Sequence, residues 1–260
     1  MEEIYIPLLI CVISFSASIL TFFSGFGLGT MLLPVFCLFM PVELAVLATA
    51  LVHLLNNLLK FFLIRKMIDR SVLLSFGIAA VSSAFIGALL QGYLGSHGGG
   101  NQLSFFSYFG EVEILSLVIG ILMICFAILD FLPWIKNLSF KRGQFFLGGL
   151  LSGFFGGLSG HQGAFRAAFL SKSNLSADVF ISTSVCLSLL IDMVRIPVYL
   201  NSNDGTLESY WKIIILACIC AFLGSFIGKR LFIKRKVKNV RLIVAVFLLS
   251  MGTGMILGFL

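Results

Sequence analysis

Two glycine-rich stretches decide how this chain is read: Gly25-Phe26-Gly27-Leu28-Gly29 in its first half and Gly156-Gly157-Leu158-Ser159-Gly160-His161-Gln162-Gly163 in its second. Each closes a long apolar run and opens a short one, 31–40 and 164–170. A helix needs about 20 apolar residues to cross a hydrocarbon core about 30 Å thick, so the short pieces cannot span. Non-helical backbone at membrane depth persists only where protein or a water-filled cavity satisfies its polar groups. Glycine supplies the open dihedrals and close approach that such breaks need. Two matching breaks therefore predict re-entrant hairpins that face a binding site.

Outward from these breaks the chain is apolar throughout. Hydrophobic residues make up 59% of the 260 and charged residues 11%, against roughly 45–50% apolar in soluble domains. This composition excludes a water-soluble fold. Apolar periodicity places helices over 4–23, 42–64, 72–94, 112–129, 144–155, 179–200, 211–231 and 240–260. No segment is left for a soluble domain, so 1–260 reads as one all-α membrane domain of about eight transmembrane helices. Glu2 and Glu3 stand where a signal peptide carries positive charge, and the first run is read as a retained helix.

Charge orients the spans. Fourteen of the 18 Lys and Arg residues fall in three stretches, at 60–70, 136–142 and 229–241, which the positive-inside rule assigns to the cytoplasm. That clustering accounts for the +7 net charge without nucleic acid. Loops 94–111 and 201–210 lack Lys and Arg and are expected outside. A plain count of eight spans would put 229–241 outside as well. The conflict disappears if each glycine break is a hairpin returning to its own side, with both termini outside. The halves 1–135 and 136–260 then form an inverted repeat. Ala48-Thr49-Ala50 against Ser182-Thr183-Ser184 is one of several weak echoes between them.

Helices starting near Thr30 and Gly163 would aim unpaired N-H groups and positive dipole ends at the middle of the bilayer, an anion site. Gly27, Gly29, Thr30 and Gly163 belong to it by position. Arg166 stands in the first turn of the second short helix inside an apolar stretch, where a guanidinium needs a partner. It reads either as a fork for an oxyanion or as a snorkelling edge charge. His161 and Gln162 read either as hydrogen-bond donors or a proton relay, or as a polar loop wetted by the cytoplasm. The facing helices carry Thr49, His53, Asn56 and Asn57, then Ser182, Thr183, Ser184, Asp192 and Arg195. Asp192 and Arg195, three apart, can pair on one helical face. The substrate contacts expected are thus Arg166, His161, Gln162, Gly163, Gly27, Gly29, Thr30, Thr49, Asn56, Asn57 and Thr183.

At these residues the chain resembles the sulfite exporter TauE/SafE family. Each half of that family carries a G-x-G-G-G-like motif, a proline about four residues later, and an Ala-x-x-Thr-Ser-like helix. The first copy here is Gly25 to Gly29 with Pro34, then Ala45 to Ala50. The second is Gly157-Leu158-Ser159-Gly160-His161, with Arg166 at the proline position and Ser182-Thr183-Ser184 behind. The resemblance covers nearly the whole chain. It implies a permease of the bacterial inner membrane for sulfur-containing or organic anions such as sulfite, thiosulfate or sulfonates, often exporting them. Arg166 and the Ser-Gly-His-Gln-Gly run depart from the family pattern and bear on the choice of substrate.

The expected function is a secondary transporter and exporter of a small anion, working by alternating access without catalytic residues, cofactor, metal or nucleotide motif. A passive anion channel would need the same constriction and stays open as an alternative. An intramembrane enzyme using His161 or His53 is the weaker one, since the three histidines lack metal-binding spacing. Coupling to protons or to the membrane potential is expected, and a homodimer is left open. The six cysteines sit in apolar runs as small hydrophobes.

Overall fold

A computed structural model describes residues 2–24, 27–64, 68–98, 112–131, 142–170, 175–202, 206–232 and 240–259. Ten α-helices form among them: α1 (Glu2–Ser24), α2 (Leu28–Cys37), α3 (Val42–Ile64), α4 (Arg70–Gly98), α5 (Ile114–Phe131), α6 (Phe145–Ser159), α7 (Gln162–Leu170), α8 (Ala177–Ser202), α9 (Trp211–Phe232) and α10 (Val240–Ile256). Short 3-10 turns precede α6 and α9. Val42–Ile64, Arg70–Ser96, Ala177–Ser202 and Leu207–Leu231 are long and apolar enough to cross a membrane. Much of the basic clusters, with Gly25 and Phe26 of the first motif, lies outside the described residues.

Both expected short helices form, as α2 and α7. They start at Leu28 and Gln162, one or two residues ahead of the expected positions. The larger difference is at the second break. Helix α6 runs through Gly156 and Gly157 to Ser159, four residues past the expected end at Phe155. Helix propensity disfavours glycine by about 1 kcal/mol per residue, but here packing outweighs it. Gly149, Gly153 and Gly157 form a stripe that lets α4 approach so closely that a Cβ at any of them would run into the carbonyl of Phe76, Ala80 or Ala84. The chain turns instead at Gly160, whose φ of 80° closes α6 in the left-handed region, with its N-H donating to Gly156 O at 3.0 Å. On the first half the turn residue is Gly27, at φ 130°. Thr30 Oγ1 donates back to its carbonyl at 3.0 Å.

The long helices pack in pairs. Helix α1 lies on α9 and α6 on α4, while α3 lies on α9 and α8 on α4. Helix α3 also packs on α8 and α5 on α10. At the α5 and α10 crossing, a Cβ on Gly120 would sit 2.9 Å from Gly252 O and one on Gly252 would sit 2.8 Å from Gly120 O. All ten residues of α2 are buried, which suits an apolar piece surrounded by protein. The turn between α3 and α4 is tied down by α8: Ser182 Oγ donates to Ile64 O at 2.6 Å, and Asp69 N donates to Thr183 Oγ1 at 3.0 Å. Asp69 in turn caps α4, accepting from Val72 N at 3.0 Å.

Candidate functional site

The two glycine breaks meet. A Cβ on Gly29, in the first turn of α2, would lie 3.5 Å from Gly160 O, 3.8 Å from Thr49 Cγ2 and 3.9 Å from the His53 ring. Two helix starts thus converge beside the polar face of α3. That face comes from spacing: Thr49, His53, Asn57 and Lys60 recur every three or four residues and are all buried.

A chain of charges and amides crosses from α3 to α8 at this point. His53 Nδ1 sits 2.6 Å from Asp192 Oδ2. The other Asp192 oxygen accepts from Arg195 Nε at 3.0 Å and its terminal nitrogen at 2.9 Å, as well as from Gln162 Nε2 at 3.1 Å. Arg195 also donates to Gly156 O at 2.8 Å and lies over the Tyr199 ring, and Tyr199 Oη donates to Gly157 O. The three-residue spacing of Asp192 and Arg195 does produce the expected ion pair. Asp192 is fully buried, so the pair stands where an isolated charge would be costly. Through Arg195 it also reaches the Gly156 carbonyl in the last turn of α6, where carbonyls lack partners within the helix. Asn57 Nδ2 lies against the His53 ring, 3.1 Å from Nδ1 and 3.2 Å from Nε2.

Next to this chain is a cavity of about 20 Å3, room for one or two water-sized groups. Thr21, His53, Asn57, Lys60, Arg166, Ser184 and Ser188 line it, with Ile181 and Val185. Two of its lining residues are cationic and none is acidic. The Ser184 hydroxyl is buried without a hydrogen-bond partner, as is Thr49 Oγ1 near Gly29. Buried polar atoms of this kind require an explanation, and a ligand is one. Among the described residues no three His, Cys, Asp or Glu side chains group as a metal site would require.

The residues singled out by sequence separate into groups. Arg166 and Asn57 line the cavity. Gln162, Gly29 and Thr49 border it through the polar chain or the helix contact. Gly27, Thr30 and Gly163 are buried at the starts of the short helices. His161 is buried but turned aside: its ring stacks on Phe126 at 5.0 Å, and Nδ1 lies 3.0 Å from Ser159 Oγ. Asn56 clusters with Ser18 and Ser225 and touches the cavity only through Lys60. With its amide oriented to satisfy both ends, Nδ2 donates to Ser225 Oγ at 2.6 Å and Oδ1 accepts from Lys60 Nζ at 3.2 Å. Thr183 is engaged by the Asp69 backbone. Lys60, Thr21 and Ser188 were not anticipated. Lys60 reads as part of a basic loop unless its place seven residues after His53, on the same helical face, is taken into account.

A family model described as "Sulfite exporter TauE/SafE" matches residues 10–255. No curated protein and no solved structure matches the chain.

Proposed function

The chain belongs to the TauE/SafE sulfite exporter family, and from that premise we propose that it is a secondary transporter exporting sulfite or a related sulfur-containing or organic anion. It is a multi-pass membrane protein, and the anion site is the cavity between α3, α7 and α8. The observation that carries this reading is the pairing of Lys60 and Arg166 around a space lined with hydroxyls and amides and by no carboxylate. A guanidinium and an ammonium suit an oxyanion, the first as a planar fork and the second as a point charge. Ser184 and Ser188 are placed to donate to further oxygens.

With room for one or two water-sized groups, the cavity is tight for a pyramidal or tetrahedral oxyanion. Substrate entry therefore requires the surrounding helices to part, which suits a carrier better than an open pore. We read the halves 1–135 and 136–260 as an inverted repeat in the bacterial inner membrane with both termini outside. The reciprocal helix contacts and the meeting of Gly29 with Gly160 support this. Tight glycine seams join α4 to α6 and α1 to α9 as units. Access alternates by movement across the α3 to α8 contact, which pairs equivalent helices. An inside-negative potential drives an anion outward by about 2.3 kcal/mol per charge per 100 mV.

Counterflow in proteoliposomes tests the proposal. Vesicles preloaded with unlabelled sulfite should transiently concentrate labelled sulfite added outside, beyond protein-free vesicles. Linear flux without this overshoot would identify a channel, and no flux of sulfite or a sulfonate would remove the sulfur-anion assignment.

A further inference from the structure

Two buried polar side chains outside the cavity have no hydrogen-bond partner. Gln91 of α4 is 0% exposed with neither atom of its amide bonded, and Thr49 of α3 is 2% exposed with Oγ1 unbonded. Burying a polar group without a partner forfeits its hydration, so an apolar residue of the same shape would serve the packing better at either position.

Both lie on the outward side of the contact between His53 and Asp192. Helices α4 and α6 run parallel, with Phe76, Ala80 and Ala84 of the first meeting Gly149, Gly153 and Gly157 of the second in turn. Ala84, Ala88, Gln91 and Gly95 fall on one face of α4 by helical spacing. A Cβ on Gly157 would meet Ala88 N, and one on Gly95 would meet Glu43 in the first turn of α3. Gln91 thus stands past the end of α6 at Ser159 and short of the start of α3. Thr49 is six residues, about 9 Å, inward of Glu43 along α3, and Gln91 is four residues, about 6 Å, inward of Gly95 along α4. The two therefore lie within about one turn of each other in depth. The cavity residues Asn57 and Lys60 are on the other side of His53 along α3. Helix α4 ends at Gly98, and the stretch 94–111 without Lys or Arg marks that end as the outer one.

Gly29 stands between Thr49 and the cavity. Its Cβ position is 3.8 Å from Thr49 Cγ2 and 3.9 Å from the ring of His53, a cavity residue. No atom is nearer than Gly160 O at 3.5 Å, so a methyl group would fit at Gly29, whereas at Gly149, Gly153 or Gly157 it would run into a carbonyl of α4. Packing of the closed protein does not demand the bare backbone at Gly29. Its width serves a passing group.

We infer that Thr49 and Gln91 form a release station for the oxyanion on the outward side, reached from the cavity past Gly29 when the outer side opens. The station presupposes the transport proposed above. The Thr49 hydroxyl and the Gln91 NH2 donate to oxyanion oxygens. Neither group is charged, and hydrogen bonds from neutral donors are weaker than those from a guanidinium or an ammonium. The anion therefore passes from a cationic site to a neutral one and on to water. Unbonded in the closed protein and bonded in the loaded, outward-open one, the two side chains favour the latter by the difference.

Exchange of labelled sulfite is measured in right-side-out and inverted membrane vesicles, with vesicles lacking the protein alongside, and stability by SDS unfolding of the purified protein. Gln91→Met and Thr49→Val keep size and remove the polar atoms. Each should raise the sulfite concentration for half-maximal exchange about tenfold from the outer face and less than about twofold from the inner face. Each should unfold at an SDS midpoint at or above the native one, since an unbonded polar group is removed. Gly29→Ala should slow exchange several-fold at an unchanged midpoint. Half-maximal concentrations that stay native in both polar variants, or rise equally from the two faces, would overturn the station and leave transport standing. A lower midpoint or failure to fold in Gln91→Met would show the amide to be bonded in the closed protein and overturn the inference. A native rate in Gly29→Ala would overturn the route past that residue. Native vesicles without protein-dependent exchange would overturn the transport reading, and the station with it.

Discussion

Asp192→Ala removes a carboxylate whose oxygens engage His53, Arg195 and Gln162 at 2.6 to 3.1 Å, with Asp192 fully buried and Arg195 1% exposed. Removing one partner of a buried ion pair costs about 3–5 kcal/mol, chiefly because the other charge is left uncompensated. An arginine at the centre of a membrane helix costs about 2.5–3.5 kcal/mol on insertion scales. Arg195 keeps its bond to Gly156 O and its place over Tyr199, which argues for the lower part of the first range. The expected loss is about 3–4 kcal/mol. Reversible unfolding of the detergent-solubilised protein in SDS measures it. Asp192→Leu combined with Arg195→Met removes both charges and should recover at least half of the loss, since His53 and Gln162 are then the groups still lacking an acceptor. A loss below about 1 kcal/mol in the single variant, or a double variant as damaged as the sum of the two singles, would refute the claim that this pair is an energetically coupled element.

Gly160→Ala should destabilise by about 1–2 kcal/mol, because the position is left-handed at φ 80° and the new methyl would stand 3.1 Å from an Arg195 nitrogen; an SDS midpoint equal to the native one would count against the turn described. Gly153→Val must push α4 and α6 apart at the Ala80 carbonyl and should cost more than about 4 kcal/mol or prevent folding, whereas Gly143→Ala, with nothing within 4 Å, should stay within about 0.5 kcal/mol of native in the same assay. Thr183→Val takes the acceptor from Asp69 N and should cost about 1–2 kcal/mol while leaving the sulfite concentration for half-maximal flux unchanged; a several-fold rise in that concentration would put Thr183 at the substrate instead.

The two short helices were legible because each follows a glycine cluster and is too short to span, and the ion pair because three-residue spacing on a helix places Asp192 and Arg195 together. Where α6 ends was not legible. Gly156 and Gly157 look like a break locally and stay helical with neighbours packed on their bare faces, Gln162 and Ile191 at Gly156 and, from far away in sequence, Ala84 and Ala88 of α4 at Gly157. The same applies to Thr183, a polar residue on the expected helix whose partner is a backbone amide more than a hundred positions away, and to His161, whose ring is claimed by Phe126 of α5. Lys60 shows a different limit. Counting it with a basic loop served the orientation argument, yet its helical register with His53 and Asn57 turns it inward, and charge clustering carries no information about facing.

The central claim, an anion held between Lys60 and Arg166, is tested most directly by saturable uptake of labelled sulfite into proteoliposomes by the native protein, Lys60→Met and Arg166→Ala under one imposed potential. Each lost charge contact to the anion is worth about 1.5–3 kcal/mol, so each variant should lower the initial rate at subsaturating sulfite by at least about tenfold. Saturable native flux that both variants retain undiminished would contradict the placement of the site in this cavity.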